Sequence, residues 1–141
     1  LQQRFKTTIA QNYSRILFLE RMPEEEYLGV LAQCSVALDT LYYGGGANTV
    51  YDAVEAGIPL ITLEGLTHSA RFASASFKQM GVTDTIASSV ADYVQKAIEI
   101  AKNEAWRKEI VQAMKNNDHK LFEDIQAVKE LEDFLLTLNF D

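Results

Sequence analysis

The residues best suited to chemistry lie in one run, Asp39-Thr40-Leu41-Tyr42-Tyr43-Gly44-Gly45-Gly46-Ala47-Asn48-Thr49-Val50-Tyr51-Asp52. Its three consecutive glycines let the backbone come close to a ligand. A helix opening just after them presents unpaired N–H groups and the positive end of its dipole, which suits a diphosphate. Gly45 and Gly46 therefore belong to the candidate site, and Asn48 and Thr49 add neutral donors at the same place. Asp52 follows Asn48 by one helical turn, so both project from one side of the helix. A carboxylate there can accept hydrogen bonds from ribose hydroxyls. Val50, Ala53, Val54 and Gly57 form a different, apolar face that can pack on a sheet. The combination reads as a nucleotide site. From spacing alone, a tight strand-to-helix turn with Asn48 as N-cap and Asp52 in solvent is equally open. The run matches neither the P-loop nor the GxGxxG pattern, which disfavours a kinase, an ATPase or a nicotinamide enzyme.

A second cluster, Glu64-Gly65-Leu66-Thr67-His68-Ser69-Ala70-Arg71, again follows an apolar run and leads into a helical pattern. It should border the same crevice. Thr67 can cap that helix, and Arg71 can reach an anionic ligand or pair with a carboxylate. Cys34, His68 and His119 lack metal-ligand spacing, so no metal site is expected. No serine sits in a nucleophile elbow. Glu24-Glu25-Glu26 reads as a charge run complementing a helix start after Pro23.

The elements that must position these residues alternate. Strands are expected at Arg15–Leu19, Val36–Asp39, Pro59–Leu63 and Asp84–Ile86. Helices fall between them: one after Pro23, one near Asn48–Ala56 stopped by Gly57, and one near Ser69–Met80 stopped by Gly81. Short apolar strands joined by helices imply an α/β fold with a parallel, Rossmann-like sheet flanked by helices. Ligands bind such sheets in the crevice beyond the strand ends. From Ser88 onward the pattern is helical, with Asn116-Asn117-Asp118 separating the last two helices. Three apolar stripes are expected to pack into the core: Val90, Val94, Ala97, Ile98 and Ala101; Trp106, Ile110, Ala113 and Met114; and Leu121, Ile125, Val128, Leu135 and Leu138.

The 141 residues suit one domain, with about 1–88 as the α/β part and about 89–141 as C-terminal helices. Thirteen basic against 20 acidic residues give −7, which argues against a broad nucleic-acid surface. No stretch is long and apolar enough to span a membrane. A lone Cys34 is compatible with a reducing cytoplasm. The chain opens on Leu1 rather than Met, as if inside a helix already under way, so a piece of a longer protein is expected.

Taken in order, these residues resemble the C-terminal catalytic lobe of glycosyltransferase family 41, the O-GlcNAc transferase/SPINDLY type of GT-B enzyme. The resemblance runs from about residue 15 to 138. It is carried by Arg15–Phe18, Met22–Tyr27, Leu38-Asp39-Thr40, Asn48 through Gly65, and Arg71–Ala75. Its most specific part is Asp52-x-x-x-Ala56-Gly57-x-Pro59 followed by Gly65-x-Thr67-x-x-x-Arg71. The resemblance implies a UDP-sugar bound between two lobes, and transfer of GlcNAc or glucose to a Ser/Thr hydroxyl or Asn amide of a protein. It places Asp52 at the ribose, Asn48 and Thr49 at the diphosphate, and the backbone from Met22 to Glu24 beside the uracil. Arg71 holds a family-typical position.

It further implies metal-independent transfer without a cofactor, tetratricopeptide repeats in the parent protein, and a phosphate-binding lysine and catalytic groups in an N-terminal lobe upstream. The chain departs from the animal enzymes at Ala47-Asn48-Thr49, where they have His-Thr-Thr, and at Glu24 and Val30, where they carry basic residues. Its Phe77–Gly81 phrase is closer to the bacterial branch, which includes cytoplasmic N-glucosyltransferases. The alternatives are another GT-B nucleotide-sugar enzyme, such as a lipid or small-molecule glycosyltransferase or an epimerase, and a degenerate interaction module.

Overall fold

The computed structural model describes residues 2–138; Leu1 and residues 139–141, the ends of the expected span, lie outside the described residues. Three short parallel strands form the sheet: β1 (Ala37–Leu38), β2 (Leu60–Leu63) and β3 (Ile86–Ala87), with β2 in the middle. Ala37 stands opposite Leu60, and Thr62 opposite Ile86. Helices α1 (Gln2–Thr8) and α2 (Glu24–Leu31) precede the sheet, α3 (Gly46–Glu55) joins β1 to β2, and α4 (Phe72–Met80) joins β2 to β3. Four more follow: α5 (Val90–Lys102), α6 (Glu104–Asn117), α7 (His119–Phe122) and α8 (Ile125–Leu136). From β1 to β3 the expected alternation of strands and helices is present, in a chain that is mostly helical.

Local chemistry explains the boundaries. Glu24, Glu25 and Glu26 occupy the first turn of α2, with Pro23 as its N-cap. α3 ends with Gly57 N–H on the Val54 carbonyl and Ile58 N–H on that of Ala53. α4 ends in the same way, through Gly81 on Lys78 and Val82 on Phe77. Ser89 and Asn103 cap α5 and α6 by accepting from the N–H groups of Asp92 and Trp106. The core is built where α3, α4, α5 and α6 meet β2. Val50, Ala53, Leu60, Ile61, Phe77, Met80, Tyr93, Ile100, Ile110 and Met114 are all buried there. As expected, Val50, Ala53 and Val54 are the buried face of α3.

Several expectations fail. Arg15–Leu19 is not a strand: a 3-10 turn covers Ala10–Arg15 and no regular element follows until α2. Its residues are strand-like in type, but no sheet edge pairs with them among the described residues, and Leu17 is 81% exposed. An extended segment without a partner leaves its peptide groups to water. The helix expected from Ser69 is split into a 3-10 turn, Ser69–Arg71, and α4. Asn116 and Asn117 lie within α6, and the break falls at Asp118.

Of the first and third apolar stripes only Ala97 and Leu121 pack against the core, both half-buried. On α5 the buried face is Tyr93 and Ile100, while Val90, Val94 and Ile98 are exposed on the neighbouring stripe. α8 buries nothing among the described residues, and Ile125, Val128, Leu135 and Leu138 are exposed. Helical periodicity says which residues share a face, and not whether another element covers it. The second stripe does pack: Ile110 and Met114 are buried, with Trp106 and Ala113 against them.

Candidate functional site

The start of α2 and the outer face of α3 bound a cleft of about 590 Å³. Arg21, Met22, Glu24 and Tyr27 line one side, and Asn48, Tyr51, Asp52 and Glu55 the other. Four expected site residues, Met22, Glu24, Asn48 and Asp52, thus share one cleft although they come from two separate helix starts. Asn48, Asp52 and Glu55 recur at helical spacing, which puts them on one side of α3. The Tyr51 ring packs on Phe122 at 5.8 Å, so α7 supports this wall. Asp52 is half-buried, and its carboxylate makes no hydrogen bond or ion pair among the described residues. Burial raises the Tyr27 phenol pKa, and the Asp52 carboxylate adds to the shift. Three carboxylates face one guanidinium here, so the open part of the cleft favours neutral, hydroxyl-rich groups over anions.

The glycine loop lies beside this cleft, and its residues do not line it. Gly44 and Gly46 have φ of 77° and 74°. At Gly44 a Cβ would stand 2.3 Å from the Ser69 carbonyl oxygen, so only glycine fits. The Ser69 hydroxyl donates to the Tyr43 carbonyl at 3.1 Å, joining the two loops that follow β1 and β2. The Gly45 N–H is already committed: it donates to Asp39 Oδ1 at 2.7 Å. The Thr49 hydroxyl donates to the Gly45 carbonyl at 2.8 Å. The N–H groups of Gly46, Ala47 and Asn48 open α3, where a helix offers no internal acceptor. Gly45, rather than Asn48, is the N-cap, and it caps through no side chain.

Thr67 and Arg71 stand apart from the cleft lining. The Thr67 hydroxyl lies 3.2 Å from that of Ser69, and His68 holds the N-cap position without a side-chain bond. Arg71 Nε donates to the Gly65 carbonyl at 3.0 Å, and the Gly65 N–H donates to the Ala70 carbonyl. Arg71 therefore braces its own loop. Lys78 pairs with Glu64 and holds that carboxyl below the usual range, first through its hydrogen bond and then through its charge. His68 packs edge-on against Phe72. Among the described residues no three potential metal ligands come together, and no helix is long and apolar enough to cross a membrane.

In the sequence Asp39 marks the start of the glycine run but carries no assigned role. It is buried, and its carboxylate accepts from Thr40 N–H, Gly45 N–H and the Thr62 hydroxyl. The available signal was an acidic residue at the end of an apolar strand with glycines behind it. Tyr51, one turn after Asn48, and Glu55, one turn after Asp52, were missed as cleft walls.

The parallel sheet and its helical crossovers make a Rossmann-like α/β fold, as expected of a GT-B lobe. The chain belongs to glycosyl transferase family 41, whose sequence model matches residues 2–131. A curated relative is the probable UDP-N-acetylglucosamine–peptide N-acetylglucosaminyltransferase SPINDLY of Eustoma exaltatum subsp. russellianum, 23% identical over 107 residues. That match takes in 73% of this chain and 12% of the relative. Among solved structures, a mutant O-GlcNAc transferase of Thermobaculum terrenum superposes with a TM-score of 0.75 at 23% identity. It covers 82% of this chain and 22% of that one, and the likeness is one of fold. The chain therefore spans less than a quarter of each relative's length.

Proposed function

We propose that this chain is the donor-binding lobe of a larger UDP-sugar-dependent protein glycosyltransferase. The observation that carries it is the shared cleft of Met22, Glu24, Asn48 and Asp52 beside the open N-terminus of α3, in a chain of family 41. Uracil lies against the backbone from Met22 to Glu24, and Asp52 accepts from the ribose hydroxyls. The diphosphate meets the opening N–H groups of α3, with Asn48 beside it. Stabilising the departing diphosphate is the main task of this lobe, and fixed N–H donors suit it. The donor is UDP-GlcNAc or UDP-glucose and the acceptor a protein hydroxyl or amide; the curated relative's name, a probable UDP-N-acetylglucosamine–peptide N-acetylglucosaminyltransferase, supports a protein acceptor. No metal or cofactor takes part, and the protein works in the cytoplasm. Catalytic groups come from the companion lobe, so the isolated chain transfers no sugar.

Titration with UDP, followed by NMR with AMP as control, tests this. Selective shifts at residues 44–52 support it; equal response to AMP refutes it. One observation favours a second reading, a lobe that has lost nucleotide binding and serves as an interaction module: the three carboxylates against one guanidinium in the cleft. Absence of UDP binding with the companion lobe restored would establish that reading.

A further inference from the structure

Asp39 is 7% exposed and stands at the end of β1, where its own N–H donates to the Ile61 carbonyl at 2.9 Å. Three chain segments meet on its carboxylate. Oδ1 accepts from the N–H of Thr40 at 2.9 Å and of Gly45 at 2.7 Å. Oδ2 accepts from the Thr62 hydroxyl of β2 at 2.9 Å. Its main-chain carbonyl accepts from the Tyr93 phenol of α5 at 2.6 Å. No ion pair reaches Asp39 among the described residues, so hydrogen bonds alone compensate its buried charge.

The bond to Gly45 has a geometric consequence. It closes the loop that carries Gly44, and Thr49 ties the same residue to the first turn of α3. A Cβ at Gly45 would lie 2.9 Å from both Asp39 Oδ1 and Thr49 Oγ1. The loop is thus gripped from the strand side by Asp39 and from the helix side by Thr49. Three glycines give it little stiffness of its own. Asp39 lies outside the cleft lining, so it touches no ligand held there.

We propose that Asp39 is a positioning residue of the donor site: its carboxylate holds the Gly44–Gly46 loop and thereby aims the opening N–H groups of α3 at the diphosphate. This rests on the donor-lobe reading given above. A residue serving stability alone would weaken folding and leave the affinity of the folded protein unchanged. A positioning residue changes affinity in a protein that still folds.

The test titrates the wild-type chain, Asp39→Ala and Asp39→Asn with UDP while following the Gly45 amide resonance and the melting temperature. Asparagine keeps an oxygen for the two N–H donors and an amide group that the Thr62 hydroxyl can accept from. Asp39→Ala is expected to move the Gly45 resonance and weaken UDP binding by about tenfold or more, with Asp39→Asn within about threefold of wild type. Wild-type affinity in folded Asp39→Ala overturns the proposal. Should that variant fail to fold, Gly45→Ala takes its place, because its new Cβ pushes against Asp39 and Thr49 at an exposed position with ordinary φ. A tenfold loss there, on the same scale of about one lost charged hydrogen bond, supports the proposal, and unchanged affinity with a moved amide overturns it. Should the wild-type chain bind no UDP, the same titrations are run with the companion lobe restored: absence of UDP binding there refutes the donor-lobe reading and takes the proposal with it, and binding there lets Asp39→Ala decide as above.

Discussion

Replacing Asp52 with alanine separates binding from folding cleanly. Asp52 lies in the second turn of α3, half-buried on the cleft wall, without a hydrogen bond or ion pair among the described residues. Its removal therefore breaks nothing inside the chain. Alanine is the better helix former by about 0.5 kcal/mol, so the melting temperature should hold or rise slightly. On the proposed donor-site reading, what is lost is a charged acceptor for the ribose hydroxyls. Hydrogen bonds to charged groups contribute about 1.5–3 kcal/mol, and solvent access to the cleft moves the expectation to the lower end. UDP affinity should fall by roughly tenfold to thirtyfold, about 1.4–2 kcal/mol. Calorimetry with UDP and with its 2′,3′-dideoxy analogue localises the effect. Wild type should discriminate against the analogue, and Asp52→Ala should bind both alike. Equal UDP affinity in the folded variant, or undiminished discrimination against the analogue, would refute the ribose assignment.

The remaining predictions concern the scaffold. The Tyr93 phenol is pushed up to about 12, first by burial and then by the Asp39 carboxylate. An unfolded tyrosine ionises near pH 10, so the neutral phenol favours the folded state below that pH, and this stability drains away as pH climbs from about 10 to 12. Urea melts across that range should show a loss of up to about 2–3 kcal/mol, which Tyr93→Phe should largely abolish. The same variant should cost about 1 kcal/mol at neutral pH, through the bond lost to the Asp39 carbonyl. An unchanged alkaline slope in Tyr93→Phe would contradict the assignment. Phe77, fully buried in α4, should cost about 3–5 kcal/mol as alanine, comparable to the whole stability of a small domain. A denaturation midpoint close to wild type would show that the core is centred elsewhere.

Much of the scaffold was legible because its causes are local. The three strands of the sheet are short apolar runs bounded by turn residues, and Gly57 and Gly81 end α3 and α4 through bonds reaching back a single turn. The pairing of Asn48 with Asp52 follows from helical spacing alone. Met22 and Glu24 became candidate site residues through their family resemblance, since nothing within Met22–Glu26 says which helix will face it.

What escaped the sequence depends on partners far along the chain. Asp39 gains its role from Thr62, 23 residues away, and Tyr93, 54 residues away, and no periodicity encodes such a meeting. Arg71, expected at an anionic ligand or a carboxylate, donates Nε to the Gly65 carbonyl, a partner that residue spacing does not indicate. Arg15–Leu19 has strand-forming residues but lacks a pairing edge, and Val90, Val94 and Ile98 form an apolar stripe that no described element covers. Residue types and spacing settle what a segment is able to form. Whether a face is buried, a strand paired or a carboxylate engaged depends on what tertiary packing brings against it.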